Sequence, residues 1–247
     1  MYAKLPALRL ARHAYLDLIG NWRGLVQVGG LWLILPWILD ALDQPLLGLL
    51  GDLAMSVGIA AVAVAWHRRI LLEEPLPARF APITPSVGRY MALWAVVLAV
   101  VALPGGLLAA LVLGVLGTGD VGVGGVLVAI LSLLSLTAAM RLQLVFPAAA
   151  IGEPAVTLRA SWRATRGNAW RLLAGTLLVS LPPAVAGFAC SLALGALAEA
   201  TGSLVLGWLG DLAPVAGAWI QAPLLAAFLS YAYLFLRQRT QTLEPQA

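Results

Sequence analysis

The chain has 247 residues, of which 62% are hydrophobic and 11% charged. Soluble domains hold about 45–50% apolar and about 25% charged residues, so this composition excludes a soluble globule and a disordered chain alike. The formal net charge of +4 is too small to suggest a nucleic-acid partner. The single cysteine, Cys190, excludes an internal disulfide and reads as a small buried hydrophobe.

Residues 8–22 place Leu8, Ala11, Tyr15, Leu18, Ile19 and Trp22 on one helical face, with Arg9, Arg12 and His13 elsewhere. That pattern predicts an amphipathic helix lying in a membrane interface. A bilayer core of about 30 Å needs roughly 20 apolar residues in helical form. Six stretches qualify: 22–39, 53–66, 90–116, 121–140, 172–198 and 212–236. The first has no small-x-small cleavage site before Asp40, so it is expected to be retained as a span. The second is short and must borrow residues such as Ile70 to Leu72. Pro75, Pro77, Pro82 and Pro85 predict an extended link over 71–90, with Phe80 and Ile83 as membrane anchors. Residues 156–170 are predicted as a second amphipathic helix. Arg159, Arg163 and Arg166 follow i, i+4, i+7 spacing there, and Leu158, Trp162 and Trp170 turn toward lipid.

The six runs are apolar on all sides rather than alternating, which favours helices over barrel strands. The expected fold is an all-α polytopic membrane protein. Six transmembrane helices form three hairpins, accompanied by cytoplasmic interfacial amphipathic helices. One domain over 1–247 is expected, with units of about 1–72, 73–150 and 151–247.

Charge placement sets the orientation. Lys4 and all fourteen arginines fall on one side of a six-span arrangement. Asp40, Asp43, Asp52, Asp120, Glu199 and Asp211 fall on the other, with no basic residue. Basic residues are retained in the cytoplasm, so both termini are expected there. The excess of arginine over lysine, with abundant Ala, Gly and Leu, suggests a bacterial cytoplasmic (inner) membrane.

The hairpins resemble one another. Gly51-Asp52-Leu53, Gly119-Asp120-Val121 and Gly210-Asp211-Leu212 open the second spans. Leu35-Pro36, Leu103-Pro104 and Leu181-Pro182 lie in the first spans. Units one and three also share Gly20-Asn21-Trp22-Arg23 and Gly167-Asn168-Ala169-Trp170-Arg171. Asp52, Asp120 and Asp211 are predicted as helix N-caps, because an aspartate oxygen accepts from a free first-turn amide and suits the helix dipole. The alternative is a ring of three carboxylates that attracts cations on the outer face.

Arg68, Arg69, Arg159, Arg163 and Arg166 are candidate contacts for anionic phospholipid at the cytoplasmic face or for a protein partner. Arg141 is a candidate intramembrane charge if span four runs on toward Pro147. It then either faces the bundle, with Glu73, Glu74 or Glu153 as partner, or snorkels to the interface. No catalytic motif and no metal-ligand spacing is present, so neither enzyme chemistry nor a cofactor or metal is expected.

Trp66-His67-Arg68-Arg69-Ile70-Leu71-Leu72 and Gly88-Arg89-Tyr90 carry a resemblance, joined by Arg141-Leu142-Gln143-Leu144-Val145-Phe146-Pro147-Ala148 and Ser161-Trp162-Arg163-Ala164-Thr165-Arg166-Gly167-Asn168. Over roughly residues 66–171 the chain resembles uncharacterised bacterial six-span proteins. That group is similar to the membrane domain fused to some glycerophosphodiester phosphodiesterases. The resemblance implies a six-helix membrane domain and, by association, lipid-linked work. It carries no catalytic residue over. The function expected first is a scaffold, assembly or accessory membrane component. The alternatives are a transporter or channel for a small solute or lipid, and an anionic-lipid-handling domain.

Overall fold

A computed structural model describes residues 4–40, 42, 44–116, 121–154 and 157–243. Among them the chain forms nine helices: α1 (Ala7–Gly20), α2 (Trp22–Asp40), α3 (Pro45–Leu72), α4 (Pro85–Leu116), α5 (Val121–Leu142), α6 (Val145–Ile151), α7 (Leu158–Ala164), α8 (Ala169–Thr201) and α9 (Leu204–Leu243). Six of these, α2, α3, α4, α5 (with α6), α8 and α9, supply segments long and apolar enough to cross a membrane. The protein is an all-α, multi-pass membrane protein.

Span two is not short. Pro45 starts α3 at a first helical position, where its missing N–H costs nothing, and the helix runs 28 residues. It stops where Glu73 turns left-handed at φ 57°. The lengthening corrects the N-cap expectation. Asp52 lies seven residues inside α3, and Asp211 lies seven residues inside α9, which begins at Leu204. Neither meets a free first-turn amide. Asp120 lies outside the described residues.

Helices α2 and α3, α4 and α5, and α8 and α9 pack as antiparallel pairs, and α3 packs on α9. The α3–α9 contact forms the centre. Half of the most apolar 18-residue stretch of α9 is buried (50%), against 11% of the corresponding stretches in the α5–α6 and α8 spans. Trp66, Phe228, Leu172, Leu224 and Leu229 are fully buried there. Short α6 is a wedge: Val145 to Ala150 are all buried, between α3, α4 and α9.

The α8–α9 pair approaches through small residues. A Cβ on Gly217 would stand 2.7 Å from the Pro183 carbonyl oxygen, and one on Gly187 would stand 2.8 Å from that of Ala213. Lipid gives no hydrophobic drive between helices, so close backbone contact of this kind supplies the attraction. Cys190 is exposed on α8 rather than buried.

Extended as expected, the α3–α4 link also does more than connect. Ala81 is fully buried. Its N–H donates to the Val28 carbonyl (2.7 Å), and its own carbonyl accepts from the Trp32 indole N–H (3.1 Å). Phe80 and Ile83 flank it with their side chains exposed, as anchors would be.

Candidate functional site

The arginine-bearing end of the bundle is where the polar side chains meet. Arg68 and Arg69 end α3. Arg68 donates Nε and Nη2 to the Glu74 carboxylate (2.7 and 2.5 Å) and Nη1 to the Ala150 carbonyl (3.2 Å). The left-handed turn at Glu73 is what folds Glu74 back across the helix end. Arg69 donates Nη1 to Asp17 of α1 (2.7 Å), and the same carboxylate accepts from the Trp66 indole (2.8 Å). Asp17 therefore clamps the interfacial helix α1 to the core helix α3. At the far end of α9, Glu153 accepts from the Tyr233 hydroxyl (2.5 Å) and from Arg237 (3.0 Å).

Next to Arg68 on α3, His67 is fully buried. Its Nδ1 lies 2.8 Å from Ser230 Oγ, and its ring leans on Tyr90, which leans on Phe146. This polar pair joins α3 to α9. Tyr15 of α1 donates to the carbonyls of Leu178 and Val179 (3.1 and 3.4 Å). Burial pushes its pKa up, so it stays a neutral donor.

The expected lipid contacts divide in two. Arg68 and Arg69 are each paired within the chain, with Glu74 and Asp17. Arg159 and Arg163 are exposed on α7, and no ion pair involves them among the described residues. Arg166 is exposed just past the helix. The expected 156–170 helix is only Leu158–Ala164, because the chain turns over 165–168 with Gly167 at φ 77°. Thr157 caps it, accepting from the Ala160 N–H at 3.2 Å.

Arg141 pairs with none of the expected glutamates. It sits in the last turn of α5, which ends at Leu142 before the turn into α6. Its Nη2 donates to the Trp162 carbonyl (2.7 Å), and its guanidinium lies 3.7 Å from the centre of the Trp162 ring. Its backbone carbonyl accepts from Ser161 Oγ and Thr165 Oγ1 (2.8 and 3.1 Å). The end of α5 and α7 are thus fastened together. Sequence reasoning missed Asp17, Glu74 and Trp162 as partners. The one available signal was a carboxylate or aromatic on each interfacial element.

At the opposite end, Asp52 and Asp211 share one crevice of about 350 Å³. Trp37, Met55 and Trp208 line it with them, beside Pro36, Gly48 and Gly51. The aspartates of the Gly-Asp-Leu segments of units one and three thus line the same crevice. Asp40 and Asp43 have side chains outside the described residues.

No family model, curated protein or solved structure matches the chain.

Proposed function

We propose that the protein is a non-catalytic, multi-pass component of a bacterial inner membrane that holds anionic phospholipid at its basic, cytoplasmic face. The charge balance of that face carries the reading. Asp17, Glu74 and Glu153 are each engaged by an arginine of the same chain. Beyond these pairs, Arg159 and Arg163 project from a short helix that also exposes Trp162, with exposed Trp170 just beyond it, and the exposed carboxylate of Glu73 does not pair with either arginine. Cations beside an anionic headgroup layer contribute about 1 kcal/mol each. The resemblance to membrane domains of lipid-active enzymes points the same way. A scaffold role fits this arrangement too but adds no observation of its own.

Lipid extracted with the protein in polymer-bounded native discs should be enriched in phosphatidylglycerol or cardiolipin over the bulk membrane. An Arg159, Arg163, Arg166 triple alanine variant should lose that enrichment; equal lipid in both would sink the reading. Orientation has its own check. In a Cys190→Ser background, Arg163→Cys should resist an impermeant thiol reagent on intact spheroplasts and react after lysis.

A second reading rests on the crevice. Two carboxylates that cap no helix face a space also walled by two tryptophans, which suits a small organic cation. Tetraethylammonium should then raise the melting temperature of the wild type and leave Asp52→Asn/Asp211→Asn unmoved. A rise that survives in the double variant assigns the effect elsewhere.

A further inference from the structure

We infer that Arg141, Trp162, Arg159 and Arg163 form a defined site for the phosphate of one anionic glycerophospholipid, with an acyl chain laid along α5. The inference rests on the lipid-holding reading above and gives it an address.

Arg141 stands at the end of a membrane-spanning helix with no carboxylate within ion-pair range among the described residues. Its protein contacts use only Nη2 and the ring face. Nε is buried with no hydrogen-bond partner. A guanidinium held this way at the edge of hydrocarbon is short of a counter-anion. Asp17, Glu74 and Glu153 are bound by Arg69, Arg68 and Arg237, and Glu73 is exposed and makes no ion pair with Arg141. An anion from outside the chain would complete the site, and at this depth the abundant one is a lipid phosphate.

The surroundings are shaped for it. On α7, Arg159, Trp162 and Arg163 follow i, i+3, i+4 spacing and share one exposed face. The opposite face is pinned to α5, because Ser161 and Thr165 are fully buried against the Arg141 carbonyl. Stacking on Trp162, which shares the α7 face of those two arginines, fixes the plane of Arg141, and a fixed guanidinium fork suits phosphate oxygens. On α5, Leu134 and Ile130 precede Arg141 by seven and eleven residues, on the same helical stripe, and are 62% and 49% exposed. A chain descending from a phosphate at Arg141 would run along that stripe.

Native mass spectrometry tests this on the full chain in micelles containing equimolar phosphatidylglycerol and phosphatidylcholine. The wild type should keep one phosphatidylglycerol preferentially. Arg141→Gln should weaken its retention about tenfold or more, the cost of one charge-assisted contact. Should Arg141→Gln unfold, the exposed pair Arg159→Gln/Arg163→Gln serves instead, with the same loss expected. Exposed Arg79→Gln, on the α3–α4 link, should change nothing. If the pair loses the lipid while a folded Arg141→Gln keeps it, the site is overturned and the broader lipid reading stands. If the wild type shows no preference, both fall. Displacement of the lipid by excess inorganic phosphate would make this a soluble-phosphate site and overturn the lipid assignment.

Discussion

Gly217→Val is expected to destabilise the solubilised protein by about 3 kcal/mol, at the upper end of the range for overpacking. The clash is with backbone: the added Cβ meets the Pro183 carbonyl oxygen at 2.7 Å, and Gly187 on the facing helix offers no slack, with Ala213 O at 2.8 Å from its own Cβ position. A side-chain neighbour would rotate away; a helix backbone has to translate. The α8–α9 pair is the most extensively packed in the molecule, so a shift there spreads through the centre of the bundle. Gly195→Ala is the control. Nothing lies within 4 Å of its Cβ position, and it should be neutral or gain up to about 1 kcal/mol from helix propensity. Thermal unfolding followed by circular dichroism compares the two. A Gly217→Val protein that melts with the wild type refutes the close approach.

Asp17→Ala is expected to cost about 3 kcal/mol, because it strands two donors at once. Arg69 and Asp17 side chains are only 25% and 11% exposed, so neither the guanidinium nor the Trp66 indole regains full hydration. Two comparisons identify the cause. Asp17→Asn should be milder, since an amide oxygen still accepts from one donor. Asp17→Ala combined with Arg69→Leu should be more stable than Asp17→Ala alone, because the unpaired cation is gone. An Asp17→Ala protein rescued by neither change would mean that lost helix packing, not stranded charge, sets the effect. Denaturant unfolding of the wild type and the three variants in one detergent measures all of this.

The span count was legible because the bilayer demands it: an apolar run of helical length has no other way to satisfy its backbone. Span ends were less legible. Asp52 follows glycine and precedes a long apolar run, which imitates a helix start, yet the true start signal was Pro45 seven residues earlier. Gly48 and Gly51, inside that first stretch, line the crevice. The basic face was legible as a charge surplus, not as a set of pairs. Asp17 and Arg69 are 52 residues apart, and only the packing of α1 on α8 and α9, with α9 against α3, brings them together. Glu74 reaches Arg68 through the left-handed residue between them, a conformation that glutamate rarely adopts and that composition does not announce. For Arg141, a search for an opposite charge overlooked that a tryptophan face and a carbonyl can hold a guanidinium between them.

The bonds at Ala81 also decide where this chain divides. A connector that merely tethered two hairpins would tolerate lengthening, exchange or cutting. This one is sewn to α2 on both its amide and its carbonyl, so the first hairpin owns the stretch that follows it. A recombination joint or split-protein break placed right after Leu72 would leave Trp32 without its acceptor and Val28 without its extra donor. The natural cassette therefore extends through Thr84, and fragments cut beyond that point should reassemble where fragments cut at Leu72 do not.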